Sequence, residues 1–488
     1  MICGLFLSAF LLRTLGDTEY GIYQTISSFV NYLVLLEFGV STVITRNIVS
    51  CRAQNNEAEI QKNISTIWSM TCILAGIIVA LGTVFYTFLG TIYSQSFTET
   101  QIKYGKQIFL IALAFLVASF FSNTLNGILL GYEKYSFQPI IALIRLLFRT
   151  ILLIFLVLSF RKSIVIAYVD LFCVVVVDIW LIIYCRKTLN LSFSFQFFDK
   201  SIFISSLPLA TAIFIQTLVN QANSNVDKFV IGIKLGPEEV AVYSVGLYIY
   251  SVFSMLTTIP ITMYAPQVVK EISNGFNPND VSTHLIPPSR LIVIIGGSIF
   301  FAFFAAGRQF ISIVYGVSYS IAWKIALIIM APMLINMSNG IMINILDATN
   351  KRMARSGILL LTTLGNIILT VFWIEKYGIT GACVATAVCT LLGQILLMDI
   401  YYYKKLGIKV LSFKIRTYKG IIIWQLVAAV IAFFAADSIH NIYISFFVGG
   451  FVFVVIFSVA FLLFGATTME RELLRKYRLF WLLKRRKK

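Results

Sequence analysis

The chain has 488 residues, of which 59% are hydrophobic and only 12% charged, and carries a formal net charge of +18; its mean hydropathy is +0.89. So few polar residues cannot coat a soluble domain of this size, which excludes the soluble globular classes. Apolar runs able to cross roughly 30 Å of hydrocarbon recur throughout, and with little polar sequence between them they specify a helical bundle rather than a barrel.

In chain order, Met1 to Leu12 is apolar but short, about 18 Å as a helix. Longer spans are predicted at 20–45, 64–89, 107–130, 138–160 and 163–185, then at 201–223, 238–263, 290–306, 321–346, 357–374 and 379–403, and finally at 420–436 and 442–464. With the short first helix they make an all-α, polytopic membrane protein of about 14 transmembrane helices.

The chain repeats itself. Leu15-Gly16-Asp17-Thr18-Glu19-Tyr20-Gly21-Ile22-Tyr23 returns as Leu235-Gly236-Pro237-Glu238-Glu239-Val240-Ala241-Val242-Tyr243, with Leu, Gly, Glu and Tyr recurring at an offset of 220. Ile128-Leu129 through Lys134 likewise resembles Ile345-Leu346 through Lys351, at an offset of 217. Tyr184 to Phe193 resembles Tyr402 to Phe413. Two lobes of six helices each are expected, 1–200 and 201–412, with two additional helices and a basic tail over 413–488. An even number of helices per lobe makes the repeat parallel, about an axis along the membrane normal. The second copy has 34 residues between Ser201 and Leu235, but only 14 precede Leu15. The first helix therefore reads as truncated, and an upstream extension of about 20 residues is expected from the repeat.

Basic residues set the orientation. Arg46, Arg52, Lys62, Lys134, Arg186, Lys187, Arg290, Lys351, Lys404, Lys405, Lys409, Lys414 and Arg416 fall on one side, together with the tail ending Lys484-Arg485-Arg486-Lys487-Lys488. That side is expected to be cytoplasmic and to hold both termini. The positive charge then calls for anionic lipid headgroups and no nucleic acid.

Other chemistries find no support. Seven scattered cysteines without a CxxC spacing build no disulfide framework. The two histidines, His284 and His440, stand alone, so no His-based metal site is readable. The sequence has no Walker A, no HExxH and no long loop for a catalytic domain, so no enzyme is expected.

The residues do resemble a family. Leu15-Gly16 with Tyr20-Gly21-Ile22-Tyr23, Asp227-Lys228 before Ile231-Gly232, and Leu235-Gly236-Pro237-Glu238 with Val242-Tyr243 resemble the Wzx-type polysaccharide flippases. That branch belongs to the superfamily of the multidrug MATE exporters and the peptidoglycan lipid flippases. The resemblance covers essentially the whole chain. It implies a bacterial or archaeal inner membrane, a polyprenyl-linked oligosaccharide substrate, and work beside a polysaccharide polymerase and glycosyltransferases in cell-surface (lipopolysaccharide or exopolysaccharide) biosynthesis.

Polar residues inside the spans supply the candidates. Gln216, Asn220, Asn223 and Asp227 are spaced as one stripe along a helix. Asn123 and Asn126 lie on another with Ser119 and Ser122. Such stripes face protein or water, so a hydrated cavity and helix–helix hydrogen bonding both fit. Arg145 and Arg149, four residues apart, project from one helix face near mid-bilayer. Arg149 is assigned to the substrate's pyrophosphate, for which a planar guanidinium fork is suited. Arg145 is assigned to Asp178, at similar depth on the next helix, with Glu37 as another possible partner. Without a nucleotide site, an H+ or Na+ gradient is expected to drive transport, through Glu37, Asp178 or Asp227. The expected function is flipping of a polyprenyl-pyrophosphate-linked oligosaccharide by alternating access. The rivals are a multidrug or small-molecule ion antiporter of the same fold and a non-transporting membrane partner of an envelope-assembly complex.

Overall fold

A computed structural model describes residues 2–37, 39–54, 56–193, 198–349, 351–468 and 470–472. It is helical throughout. The elements are α1 (Ile2–Leu15), α2 (Asp17–Leu33), α3 (Val40–Ala53), α4 (Glu57–Tyr93), α5 (Glu99–Gly131), α6 (Phe137–Phe160), α7 (Ile164–Thr188), α8 (Lys200–Lys234) and α9 (Pro237–Ser273). They continue as α10 (Pro278–His284), α11 (Ile286–Val314), α12 (Ile321–Ala348), α13 (Arg352–Cys389), α14 (Met398–Leu406), α15 (Val410–Tyr418), α16 (Ile422–Asp437) and α17 (Ile442–Ala460). Among the described residues, nine helices are long and apolar enough to cross a membrane, or ten if the bent pair α15 and α16 counts as one span. The stretch Ala354–Leu406, counted once, bends at Gly378, whose φ of 58° and ψ of −144° are non-helical. Apart from 20–45, the predicted spans coincide with helix, and most helices run past the predicted ends because polar caps lie outside the apolar core. Thr98 and Gln101 form a capping box at the start of α5, and Asn56, Asp199 and Asn441 cap α4, α8 and α17.

One predicted span is not a continuous helix. The 20–45 segment breaks: α2 ends at Leu33, Val34–Glu37 forms one 3-10 turn, and α3 starts at Val40. Gly39 sits between them with φ 63° and ψ 29°, a left-handed conformation that costs a side-chain-bearing residue about 1 kcal/mol or more. A Cβ there would also collide with Ile213. Hydropathy could not reveal this break, because both sides of it are apolar.

The chain forms two compact units. One comprises Phe6–Ser244 and Ile367–Ala382. Two clusters of its core lie among the described residues. Ile22, Ile26, Phe29, Val30 and Leu33 of α2 pack on Ile108, Phe109, Leu116 and Phe120 of α5. Ile44 and Ile48 of α3 join Ile64 and Ile67 of α4, Leu125 and Leu129 of α5, and Leu181 and Cys185 of α7. Gly127 and Gly131 admit the close approach of α3, since a Cβ at either would strike Ser41, Ile44 or Ile48. By contrast α6 buries only Leu153 and Val157 and leaves Ile144, Ile151 and Phe155 more than 60% exposed, the surface expected of a lipid-facing helix.

The two copies of the repeated motif meet inside this unit. Thr18 Oγ1 donates to Glu238 Oε1 at 3.0 Å, and these positions are equivalent at the offset of 220. Gly21 is required there, because a Cβ would run into the carbonyl of Pro237.

The other unit comprises Met1–Leu5, Val245–Asn366 and Cys383–Lys488. In it α11 packs against α12, α16 and α17, and α16 against α17. Gln425 of α16 reaches the carbonyl of Ile294 at 3.1 Å, in the space left by Gly297.

Orientation has a direct test. Cys51 lies in α3 at 6% exposure, so its thiol would stay silent from either side and reports nothing. Gln54 and Gln95 are exposed in the turns after α3 and after α4. A membrane-impermeant maleimide added to intact cells should label Gln95→Cys and miss Gln54→Cys. The reverse pattern would invert the topology.

Candidate functional site

The intramembrane charges form short networks in the first unit. Arg149 of α6 holds Asp170 of α7 through both branches of its fork: Nε donates to Oδ1, and a terminal nitrogen donates to Oδ2 at 3.1 Å. Tyr23, the last residue of the first motif copy, donates to the same Oδ2 at 3.4 Å. The pair is mostly shielded, with 27% of the Arg149 side chain and 14% of Asp170 exposed. Asp170 was not singled out by the sequence. Depth counted from the α6–α7 turn pairs Arg145 with Asp178, whereas Arg149 lies about one turn from level with Asp170, a gap its long side chain spans.

Asp178 accepts a hydrogen bond from Ser122 of α5 and lies in the field of Arg145. Its closest described partner is therefore the serine. The second unit repeats this device: Asn339 of α12 donates to Asp399 of α14 at 2.8 Å, and Lys414 pairs with the same carboxylate. In each half the fourth helix thus holds an acid on the sixth. Neither Asp399 nor Lys414 stands out in the sequence, since both flank the predicted span ends.

Glu37 terminates the 3-10 turn at the α2–α3 break, near the midpoint of the 17–53 segment, and accepts a hydrogen bond from Asn123 of α5. Irregular backbone at membrane depth is tolerated only inside protein or beside water, and broken helices line the ion and substrate sites of transporters. Asn126, one turn along from Asn123, is half-buried. Asp227 of α8 is buried, accepting from Tyr243 at 2.8 Å and from Thr370 of α13 at 3.4 Å. Its neighbour Lys228 reaches Gln24 of α2 at 3.4 Å. The side chains of Gln216, Asn220 and Asn223 lie outside the described residues. No cluster of three or more metal-ligating side chains occurs among the described residues.

Two concavities accompany these groups. An apolar groove of about 440 Å³ between α6 and α7 is lined by Ile141, Ile144, Phe148, Val176 and Trp180, with Arg145 its one charged residue. At the ends of α3, α5 and α7 a wider pocket of about 850 Å³ is lined by Arg52, Glu57, Gln61, Tyr132, Glu133 and Asn190, among others.

Apolar helices of membrane length, with charged side chains paired among them, define a polytopic helical membrane protein. The chain belongs to the polysaccharide biosynthesis protein family, whose model matches residues 1–270. The fold is that of the lipid II flippase MurJ in its inward closed conformation, at 17% identity and a TM-score of 0.67, covering 94% of this chain and 96% of that one. It is also that of an inward-facing multidrug resistance MATE family transporter of the MOP superfamily, at 13% identity and a TM-score of 0.62, covering 83% of this chain and 96% of that one. A MOP superfamily transporter from Pyrococcus furiosus is similar at 14% identity and a TM-score of 0.51, covering 83% of this chain and 92% of that one. No curated protein sequence matches significantly. The chain is thus a multi-pass membrane protein whose fold neighbours are flippases and transporters rather than enzymes.

Proposed function

We propose that the chain flips a polyprenyl-pyrophosphate-linked oligosaccharide across the inner membrane by alternating access, with both termini cytoplasmic, for cell-surface polysaccharide biosynthesis. The observation that carries this reading is the pairing on α6 of two guanidinium groups with a lipid-exposed apolar groove. Arg145 lines the groove and Arg149 lies one turn further along the helix. A pyrophosphate needs cations and a polyprenyl chain needs an apolar track, and α6 carries both. Asn123, Asn126 and the α8 stripe of Gln216, Asn220 and Asn223 would serve the sugar hydroxyls. A polymerase and glycosyltransferases are the partners such a substrate requires. Cells lacking the protein should accumulate lipid-linked oligosaccharide that an impermeant periodate reaches only from the cytoplasmic face. Accumulation on the outer face would contradict the reading.

Asp227 and Glu37 favour ion coupling, with H+ or Na+ as the driver. Asp227 is buried and accepts from the hydroxyls of Tyr243 and Thr370, and Glu37 sits at a helix break. The same features would suit a small-molecule antiporter, and substrate assay separates the two. In vesicles, Asp227→Asn should retain slow substrate exchange but lose its response to an imposed gradient. An unchanged gradient response would remove Asp227 from the coupling path.

A further inference from the structure

In the second unit a small polar pocket of about 140 Å³ opens between α10, the first residue of α11 and α15. Its lining is Asn279, Ser282, Thr283, Ile286, Lys409, Ser412, Phe413 and Arg416, with two cations and no acid. Ser282 and Thr283 direct their hydroxyls to the carbonyl of Asn279, at 2.6 and 3.1 Å. The side chain of Asn279 accepts the backbone N–H of Lys409 at 3.0 Å, which ties α10 to the start of α15. These bonds build the walls, and none of them engages Lys409 Nζ, the Ser412 hydroxyl or the Arg416 guanidinium. Among the described residues those three groups make no side-chain hydrogen bond or ion pair, so the pocket is positive and unneutralised.

The helix beside it is amphipathic. Val410, Phe413 and Thr417 of α15 are buried, whereas Leu411 and Ile415 are 74% and 58% exposed. A short helix with apolar side chains turned outward and basic ones at its flank lies along a bilayer surface. Lys404, Lys405 and Lys419 add to the basic flank. A phosphate is the anion this arrangement fits, since a guanidinium, an ammonium and a hydroxyl are its usual ligands. The exposed Leu411 and Ile415 supply what only a lipid phosphate would use, an apolar surface for acyl chains.

We propose that this pocket binds the phosphodiester of an anionic phospholipid and thereby holds α15, the link between the repeat and the last two helices. Arg416 would serve twice, because its side chain lines the pocket while its carbonyl accepts from the buried Arg290. Lipid bound here would therefore fasten α15 where Arg290 grips it.

The test is native mass spectrometry and thermal unfolding of the purified full chain with phosphatidylglycerol, phosphatidylcholine or inorganic phosphate. The wild-type protein should retain one tightly held phosphatidylglycerol and gain thermal stability from it, but not from phosphatidylcholine. The double variant Lys409→Gln/Arg416→Gln should lose that retained population by about tenfold or more, the expected loss of two charge-assisted contacts. Ser412→Asp, which keeps both cations and adds a repelling carboxylate, should do the same. The matched control Lys404→Gln/Lys405→Gln removes equal charge outside the pocket and should retain the lipid. Equal loss in the control would overturn the site in favour of diffuse surface charge. Stabilisation by inorganic phosphate as strong as by phosphatidylglycerol would overturn the lipid assignment. Unfolding without added lipid shows whether each variant is folded, and a folded double variant with full lipid retention would sink the proposal.

Discussion

Arg290→Gln should leave little folded protein in the membrane. Arg290 of α11 has a side chain only 5% exposed and directs its donors at six oxygens. Nε and one terminal nitrogen hold Glu470 at 2.8 and 3.2 Å. The other terminal nitrogen reaches the carbonyls of Arg416, Thr417 and Lys419 at 3.2, 3.4 and 2.9 Å, and Gly465 is bound at 3.0 Å. Those carbonyls lie where α15 ends before α16 and where the last helical turn after α17 stops. Backbone there has no helical partner of its own, so the guanidinium replaces the missing donors. Gly420, at φ 75°, lets its strand of chain lie against Gly465 beneath the arginine. A neutral amide cannot reach six acceptors, and removing one side of a buried pair costs about 3–5 kcal/mol. A loss of that size is a large part of the whole stability of a typical domain, about 5–15 kcal/mol. The measurement is the monodisperse yield and thermal unfolding of the detergent-purified variant. Normal yield and stability would show that α16 and α17 are held by other means.

The same contact carries a pH signature. Burial pushes the Glu470 carboxyl up, but the hydrogen bonds from Arg290 and from the backbone and hydroxyl of Thr467 outweigh it and hold the group below the usual carboxylate range. A depressed folded pKa contributes stability that is complete above the unfolded value, about 4.3, and is lost as pH falls through the folded one. Wild-type stability should therefore fall below about pH 4 more steeply than that of Glu470→Gln.

How much of this was legible in the sequence follows from the range of each interaction. Span positions were readable because hydropathy is a local pattern. The break at Gly39 was not, since apolar sequence continues through it. Arg290 read as a charge flanking a span, which it is by position. Its role depends on oxygens more than a hundred residues away, and no window sees them. Arg145 and Asp178 were paired by depth and do share a field, yet Ser122 is the group bonded to the carboxylate. Asp170 and Tyr23 escaped notice because pairing across helices depends on rotation about each axis, which depth counting leaves free.

The second large effect is expected at Arg149. Arg149→Gln should nearly abolish flipping, and Arg149→Lys should weaken it while preserving abundance, because an ammonium keeps the charge but not the planar fork. Asp170 complicates a single substitution. Loss of the arginine leaves a shielded carboxylate unpaired, at about 3 kcal/mol or more, so a silent variant could be merely unstable. The double variant Arg149→Gln/Asp170→Asn removes both charges and should recover abundance. If Arg149 meets the pyrophosphate, the double variant stays inactive although it is folded. Full transport by it would reduce the pair to a structural clasp between α6 and α7 and assign the substrate's charge elsewhere. Arg145→Gln should differ from both, lowering stability through Asp178, with Asp178→Asn partly restoring it.

The most direct test of the whole account is reconstitution. Purified protein is placed in liposomes with a fluorescent polyprenyl-pyrophosphate oligosaccharide, and a membrane-impermeant quencher or hydrolase reports which leaflet holds the headgroup. A flippase makes the inner-leaflet pool accessible over minutes, in proportion to the active protein per vesicle, and Arg149→Gln vesicles resemble protein-free ones. An inner pool that stays protected at every protein density and under every imposed H+ or Na+ gradient, with protein shown to be folded, would contradict the account.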